Sequence, residues 1–91
     1  MQDKFCMHYY ISGLVQGVCF RSFTQSEAKK LGMTGWVRNL PDGGVEVVAC
    51  GRQEDIKTLE EWLRHGPSRA KVSDFTSEKK EWEDHTDFLI L

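Results

Sequence analysis

From Phe5 to Ile11, Phe5, Met7, Tyr9 and Ile11 alternate with Cys6, His8 and Tyr10. That period of two in aromatic and apolar residues predicts a strand. Ser12 to Val18 follows, with Gly13 and Gly17 in it. It predicts a loop whose backbone visits angles that other residues avoid. Between Ser22 and Leu31 the period lengthens to that of a helix. Phe23, Ala28 and Leu31 approximate one face, and Glu27, Lys29 and Lys30 the other. Gly32 can supply a left-handed stop. Thr34–Asn39 and Gly44–Cys50 are strand-like, through Trp36 and Val37 in the first and Val45, Val47 and Val48 in the second. Leu40-Pro41-Asp42-Gly43 between them is a hairpin turn signal. Ile56, Leu59, Trp62 and Leu63 form the stripe of a second helix over Glu54–Arg64, which Gly66-Pro67 ends. Ala70–Phe75 predicts another strand, Lys79–Thr86 a polar turn region, and Phe88–Ile90 a short closing strand. No internal repeat, low-complexity tract or linker interrupts this order.

The order is β-α-β-β-α-β with one extra short strand. Right-handed crossovers and one hairpin fold it into an α+β, ferredoxin-like sandwich, an antiparallel sheet with both helices on one face. The first and third strands are then central neighbours. The Gly13–Arg21 loop and the strand end at Asn39 fall at the same end of the sheet, so topology alone brings two distant segments together. The chain of 91 residues reads as a single domain over 1–91. A chain this short buries roughly 60–65% of its unfolded surface, enough for a core with little margin.

Charge narrows the function. The net charge is −2 and the pI about 5.9, so no global field favours nucleic acid or an anionic membrane. Any anion held here is held by a local array of donors. No stretch approaches the roughly 20 apolar residues that span a bilayer. The polar start Met1-Gln2-Asp3-Lys4, with His8 interrupting the apolar run behind it, argues against a signal peptide. The expectation is a cytoplasmic protein, by default a monomer.

One segment fits the local array. The loop from Gly13 to Phe20 leads into Arg21 and the first turn of a helix, where backbone N–H groups lack partners and the macrodipole favours an anion. Glycines let successive N–H groups converge in a nest, and a guanidinium takes two phosphate oxygens at once. The segment is neither a Walker loop nor a GxGxxG fingerprint. A tight βα turn with a solvated Arg21 is the competing reading. Asn39, at a strand end, is either a turn former or an uncharged carboxamide able to orient a water.

Two motifs then carry a resemblance. Gly13-x-Val15-Gln16-Gly17-Val18-x-Phe20-Arg21 and Gly35-Trp36-Val37-Arg38-Asn39-x-x-Asp42-Gly43-x-Val45-Glu46 closely resemble the paired signatures of acylphosphatases. The likeness continues through Gly66-Pro67-x-x-Ala70-x-Val72 and Phe88-x-Ile90. It implies the ferredoxin-like fold and hydrolysis of small acyl phosphates to a carboxylate and inorganic phosphate, with no metal, no cofactor and no covalent intermediate. By position, it gives Arg21 and Asn39 as catalytic residues. The loop amides of Gln16, Gly17, Val18, Cys19 and Phe20, with Arg21, would bind the phosphoryl oxygens, and Asn39 would position the attacking water. Small acyl phosphates or phosphate are the expected partners, with no nucleic acid and no membrane.

Other residues have plainer readings. Cys19 stands beside a helix start and Arg21, where a thiol can become reactive, or simply fills a loop. Cys6 and Cys50 lie on neighbouring antiparallel strands, so a cross-strand disulfide is geometrically open, although a reducing cytosol opposes it. His8, His65 and His85 lack metal-ligand spacing and read as surface or sheet-edge residues. Trp36 and Trp62 read as core, with Trp36 a candidate for the site mouth, and Trp82 as part of a solvated turn. Arg38 should point away from Asn39. The competing functions are an RNA- or effector-binding sandwich, against which the acidic balance weighs, and a catalytically idle phosphate sensor.

Overall fold

A computed structural model describes residues 3–91; Met1 and Gln2 of the polar start lie outside the described residues. Seven elements follow in chain order: β1 (Lys4–Leu14), α1 (Phe20–Lys30), β2 (Thr34–Asn39), β3 (Val45–Arg52), α2 (Gln53–Leu63), β4 (Lys71–Lys80) and β5 (Phe88–Ile90). The five strands form one sheet in the order β4-β1-β3-β2-β5. β1 pairs antiparallel with β3 and β4, and β2 antiparallel with β3. β5 joins the edge parallel to β2, so the extra strand makes the expected antiparallel sheet a mixed one. α1 packs over β2 and β5, α2 over β3 and β1. This is the ferredoxin-like sandwich.

Alternation along the strands separates the two faces. Tyr9, Ile11, Val37, Val45, Val47 and Ala49 point to the helix side, where they meet Phe20 and Ala28 of α1 and Ile56, Leu59 and Leu63 of α2. Each buried valine, leucine, isoleucine or phenylalanine among them contributes about 1.5–3 kcal/mol by leaving water. On the opposite face a smaller cluster joins Cys6, Val48 and Cys50, flanked by Trp36. Cys6 and Cys50 are direct cross-strand partners and form a disulfide, with Cα atoms 4.0 Å apart. Beside them the buried carboxylate of Glu46 accepts hydrogen bonds from His8 Nε2 (2.6 Å) and Arg38 Nε.

Register decides where the functional segments meet. Ile11 of β1 and Asn39 of β2 both pair with Val45 of β3, so the end of β2 and the start of β3 lie level with Ile11. β1 runs on to Leu14 through a register shift at Ser12/Gly13. Gly13 has φ 125°, and a Cβ there would collide with the Lys71 carbonyl. The close β1–β4 approach therefore requires glycine.

Several local expectations are corrected. β1 begins at Lys4 and runs three residues past Ile11, and α1 begins at Phe20 rather than Ser22. Phe20, Thr24 and Ala28 are its buried residues. Phe23 lies about 60° around the helix from Phe20, on the flank of that face, and is 51% exposed. β4 extends from Lys71 to Lys80 instead of ending at Phe75, so only Glu81–Asp87 connects it to β5. His8 lies on the open face of a central strand, not at a sheet edge, because β4 pairs outside β1. Trp36 lies on that same open face, stacked by Arg38 with 5.3 Å from guanidinium carbon to ring centre, and is absent from the site mouth. Trp62 packs against the core, 5.8 Å from the Phe20 ring, and Trp82 is exposed.

Candidate active site

The link between β1 and α1 builds one wall of a cavity of about 350 Å³. Gly17 (φ 77°) and Cys19 (φ 63°) are left-handed residues separated by Val18, so the chain curls and successive N–H groups turn toward one side. Cys19 is the N-cap of α1, yet no side chain caps the helix, and its first turn holds no acidic residue. Neither a cap nor a carboxylate competes for the open N–H groups and positive dipole end of an 11-residue helix.

Arg21 and Ser22 project from that first turn to line the cavity, and Asn39 reaches it from the end of β2. Val15, Phe20 and Ile90 supply apolar wall. Arg21 Nη1 lies 3.4 Å from the main-chain oxygen of Leu91, at the far limit of a hydrogen bond. Among the described residues no side-chain carboxylate pairs with the guanidinium, and none hydrogen-bonds the Asn39 carboxamide. The lining contains no carboxylate and no imidazole. A cavity with helix N–H groups, a guanidinium and a neutral amide, and no carboxylate side chain in its lining, is suited to an anion of phosphate size.

Gln16 takes a part that sequence reasoning did not give it. Its Nε2 donates to the carbonyls of Leu40 and Gly44, both at 2.8 Å. Those residues close the turn after Asn39, where Leu40 N–H bonds Gly44 O and Gly44 N–H bonds Asp42 Oδ1. The side chain thus ties the loop that precedes Arg21 to the turn that follows Asn39. Two carbonyls in a turn give no side-chain pattern to read, so only the fold reveals this bridge.

Of the residues expected at the site, Arg21, Asn39, Gly17, Cys19 and Phe20 line the cavity together. Gln16 and Val18 do not: the Gln16 side chain is turned to the Leu40 and Gly44 carbonyls, and that of Val18 packs against the core and borders a neighbouring groove. Cys19 is a free, exposed thiol. Val15, Ser22 and Ile90 were not anticipated as lining. Ile90 arrives because β5 pairs parallel to β2 and sets it beside Val37. The groups with the largest perturbations sit elsewhere: burial and then Glu60 push the Tyr9 hydroxyl far above its ordinary range, beneath the helices. Among the described residues no group of three or more His, Cys, Asp or Glu side chains is arranged to hold a metal ion, and no helix is long and apolar enough to cross a membrane.

Comparison with known proteins agrees with this geometry. The acylphosphatase family model matches residues 7–90. An acylphosphatase of Legionella pneumophila is 45% identical over the whole of both chains. The structure of an acylphosphatase from Coxiella burnetii superposes with a TM-score of 0.94 at 45% identity, over 98% of this chain and 94% of that one. That of Bacillus subtilis gives 0.92 at 35% identity, over 96% and 98%. The chain belongs to the acylphosphatase family of enzymes.

Proposed function

We propose that this chain cleaves the carboxyl–phosphate bond of small acyl phosphates, releasing a carboxylate and inorganic phosphate. The observation that carries the reading is that the uncapped α1 terminus, Arg21 and Asn39 meet at one cavity whose lining holds no carboxylate side chain. The phosphoryl oxygens would take the N–H groups of Gln16 to Phe20 while the Arg21 guanidinium bridges two of them. Phosphoryl transfer passes through a loose transition state with charge spread over the equatorial oxygens, so catalysis rests on positioning and electrostatics. Asn39 accepts from and donates to the attacking water, holding it in line without drawing charge from the phosphate.

A mixed anhydride already has a stable carboxylate as leaving group, so the scheme calls for little acid assistance. The water's proton passes to a phosphoryl oxygen, in keeping with a lining that offers no carboxylate or imidazole base. Attack is direct, with no covalent enzyme intermediate and no metal. The enzyme works as a single cytoplasmic domain and a monomer. Its net charge of −2 suits a small anionic substrate bound by local donors rather than a polyanion.

Asn39→Ala separates the two halves of the scheme. With benzoyl phosphate, kcat should fall on the order of 10²-fold, the cost of losing one preorganised contact to the reacting atoms. Competitive inhibition by inorganic phosphate should stay unchanged. Loss of phosphate inhibition with kcat retained would contradict the water-positioning role, and tight phosphate binding by wild type without turnover would contradict the hydrolase reading.

A further inference from the structure

A second concavity of about 270 Å³ lies against the same loop. Gly17 and Cys19 border both it and the anion cavity, so only the loop separates the two. The partition is low at Gly17: it has no side chain, and a Cβ built there would meet nothing within 4 Å. A molecule anchored in the first cavity can cross there into the second.

The groove has two chemistries. Its apolar part is Val18 of the loop, Phe23, half-exposed on the flank of α1, and Pro67 from the connection between α2 and β4. The charged part is Arg69, the only ionised group on the groove. It is exposed, and among the described residues no ion pair engages its guanidinium.

We infer that this groove receives the acyl arm of the substrate, an inference that rests on the hydrolase reading above. The phosphoryl group stays on the loop and Arg21, the arm crosses at Gly17, and its apolar portion lies on Phe23 and Pro67. A second anion at the far end of the arm meets Arg69. The class selected is therefore an acyl phosphate with an apolar arm that ends in a carboxylate or another anion, in preference to a short unsubstituted one.

Three substrates separate the contributions: acetyl phosphate, benzoyl phosphate and 4-carboxybenzoyl phosphate, which adds only a distal carboxylate to the second. Arg69→Ala should lower kcat/KM for 4-carboxybenzoyl phosphate by roughly twofold to fivefold, as expected for one solvent-exposed ion pair. It should leave the other two substrates unchanged. Arg69→Glu should lower it further, and added salt should shrink the difference. Phe23→Ser should lower kcat/KM for both aromatic substrates relative to acetyl phosphate. If the Arg69 variants treat benzoyl and 4-carboxybenzoyl phosphate alike while acetyl phosphate is still hydrolysed, the acyl groove is wrong and the hydrolase reading stands. If folded wild type hydrolyses none of the three, the hydrolase reading itself fails and the groove's role goes with it.

Discussion

Breaking the bond between Cys6 and Cys50 tests how the sandwich is held together at the end remote from the cavity. The two residues face each other across β1 and β3 and lie 44 positions apart in the chain. Closing a loop of that length removes about 13 cal/mol/K of chain entropy from the unfolded ensemble, or about 4 kcal/mol at 25 °C. Domains of this size are stable by only about 5–15 kcal/mol, so the contribution is a large share of the total. For roughly 90 residues, 4 kcal/mol corresponds to about 20 °C in Tm. Both sulfurs are buried, so reductant acts only when the strands open; Cys6→Ala/Cys50→Ala gives a cleaner comparison than brief reduction. Thermal melts followed by circular dichroism, with thiols counted under denaturing conditions, supply the assay. The oxidised wild type should show one free thiol, that of Cys19, and the double variant should melt about 20 °C lower. Its turnover at 25 °C should be unchanged, because Asn39 pairs with Val45 at the opposite end of β3 from Cys50. Equal midpoints for the double variant and the fully oxidised wild type would refute the reasoning.

Two further outcomes follow. Gln16→Ala removes both hydrogen bonds that tie the loop to the turn after Asn39, costing about 1–2 kcal/mol of stability. In benzoyl phosphate kinetics kcat should fall more than KM rises, because the loop amides survive while their alignment with Asn39 is lost; an unchanged kcat would remove the bridge from the mechanism. For Glu46, burial alone would raise the carboxyl's pKa, but hydrogen bonds from His8, Arg38 and Tyr10 outweigh it and hold the carboxyl below the usual range. A carboxyl lowered on folding contributes stability that is full above its unfolded pKa of about 4.3 and is lost as pH falls through the folded value. Urea midpoints measured against pH should therefore decline less steeply in Glu46→Gln than in wild type below about pH 4.3, from a lower plateau at neutral pH; parallel declines would take Glu46 out of the acid transition.

What could be read from the sequence follows the strength of each local signal. The alternation from Phe5 to Ile11 and the Pro41-Asp42-Gly43 turn are strong patterns, and the central β1–β3 pairing and the hairpin follow from them. β4 was legible only to Phe75 because it is an edge strand. Ser77, Glu78, Lys79 and Lys80 pair with β1 through their backbone while their side chains stay polar, as edges that avoid aggregation do. Phe23 falls on the flank of the buried face of α1, not within it, because the phase of a short helix depends on where it starts, and the pattern does not mark Phe20 as the first residue. Arg21 and Asn39 stand out as candidates because each sits in a motif, and both line the cavity. The Gln16 bridge, the Ile90 wall and the Glu46 cluster depend on which strands become neighbours, which composition does not state.

The central claim is that Arg21 and the α1 loop stabilise a phosphoryl group in transit. Hydrolysis of benzoyl phosphate by wild type and Arg21→Ala, both folded and both in excess EDTA, tests it most directly. Wild type should turn over undiminished by the chelator, and the variant's kcat/KM should fall on the order of 10²–10³-fold, the size of a lost charge-assisted contact to the transition state. An Arg21→Ala enzyme that keeps most of the wild-type kcat/KM would contradict the account.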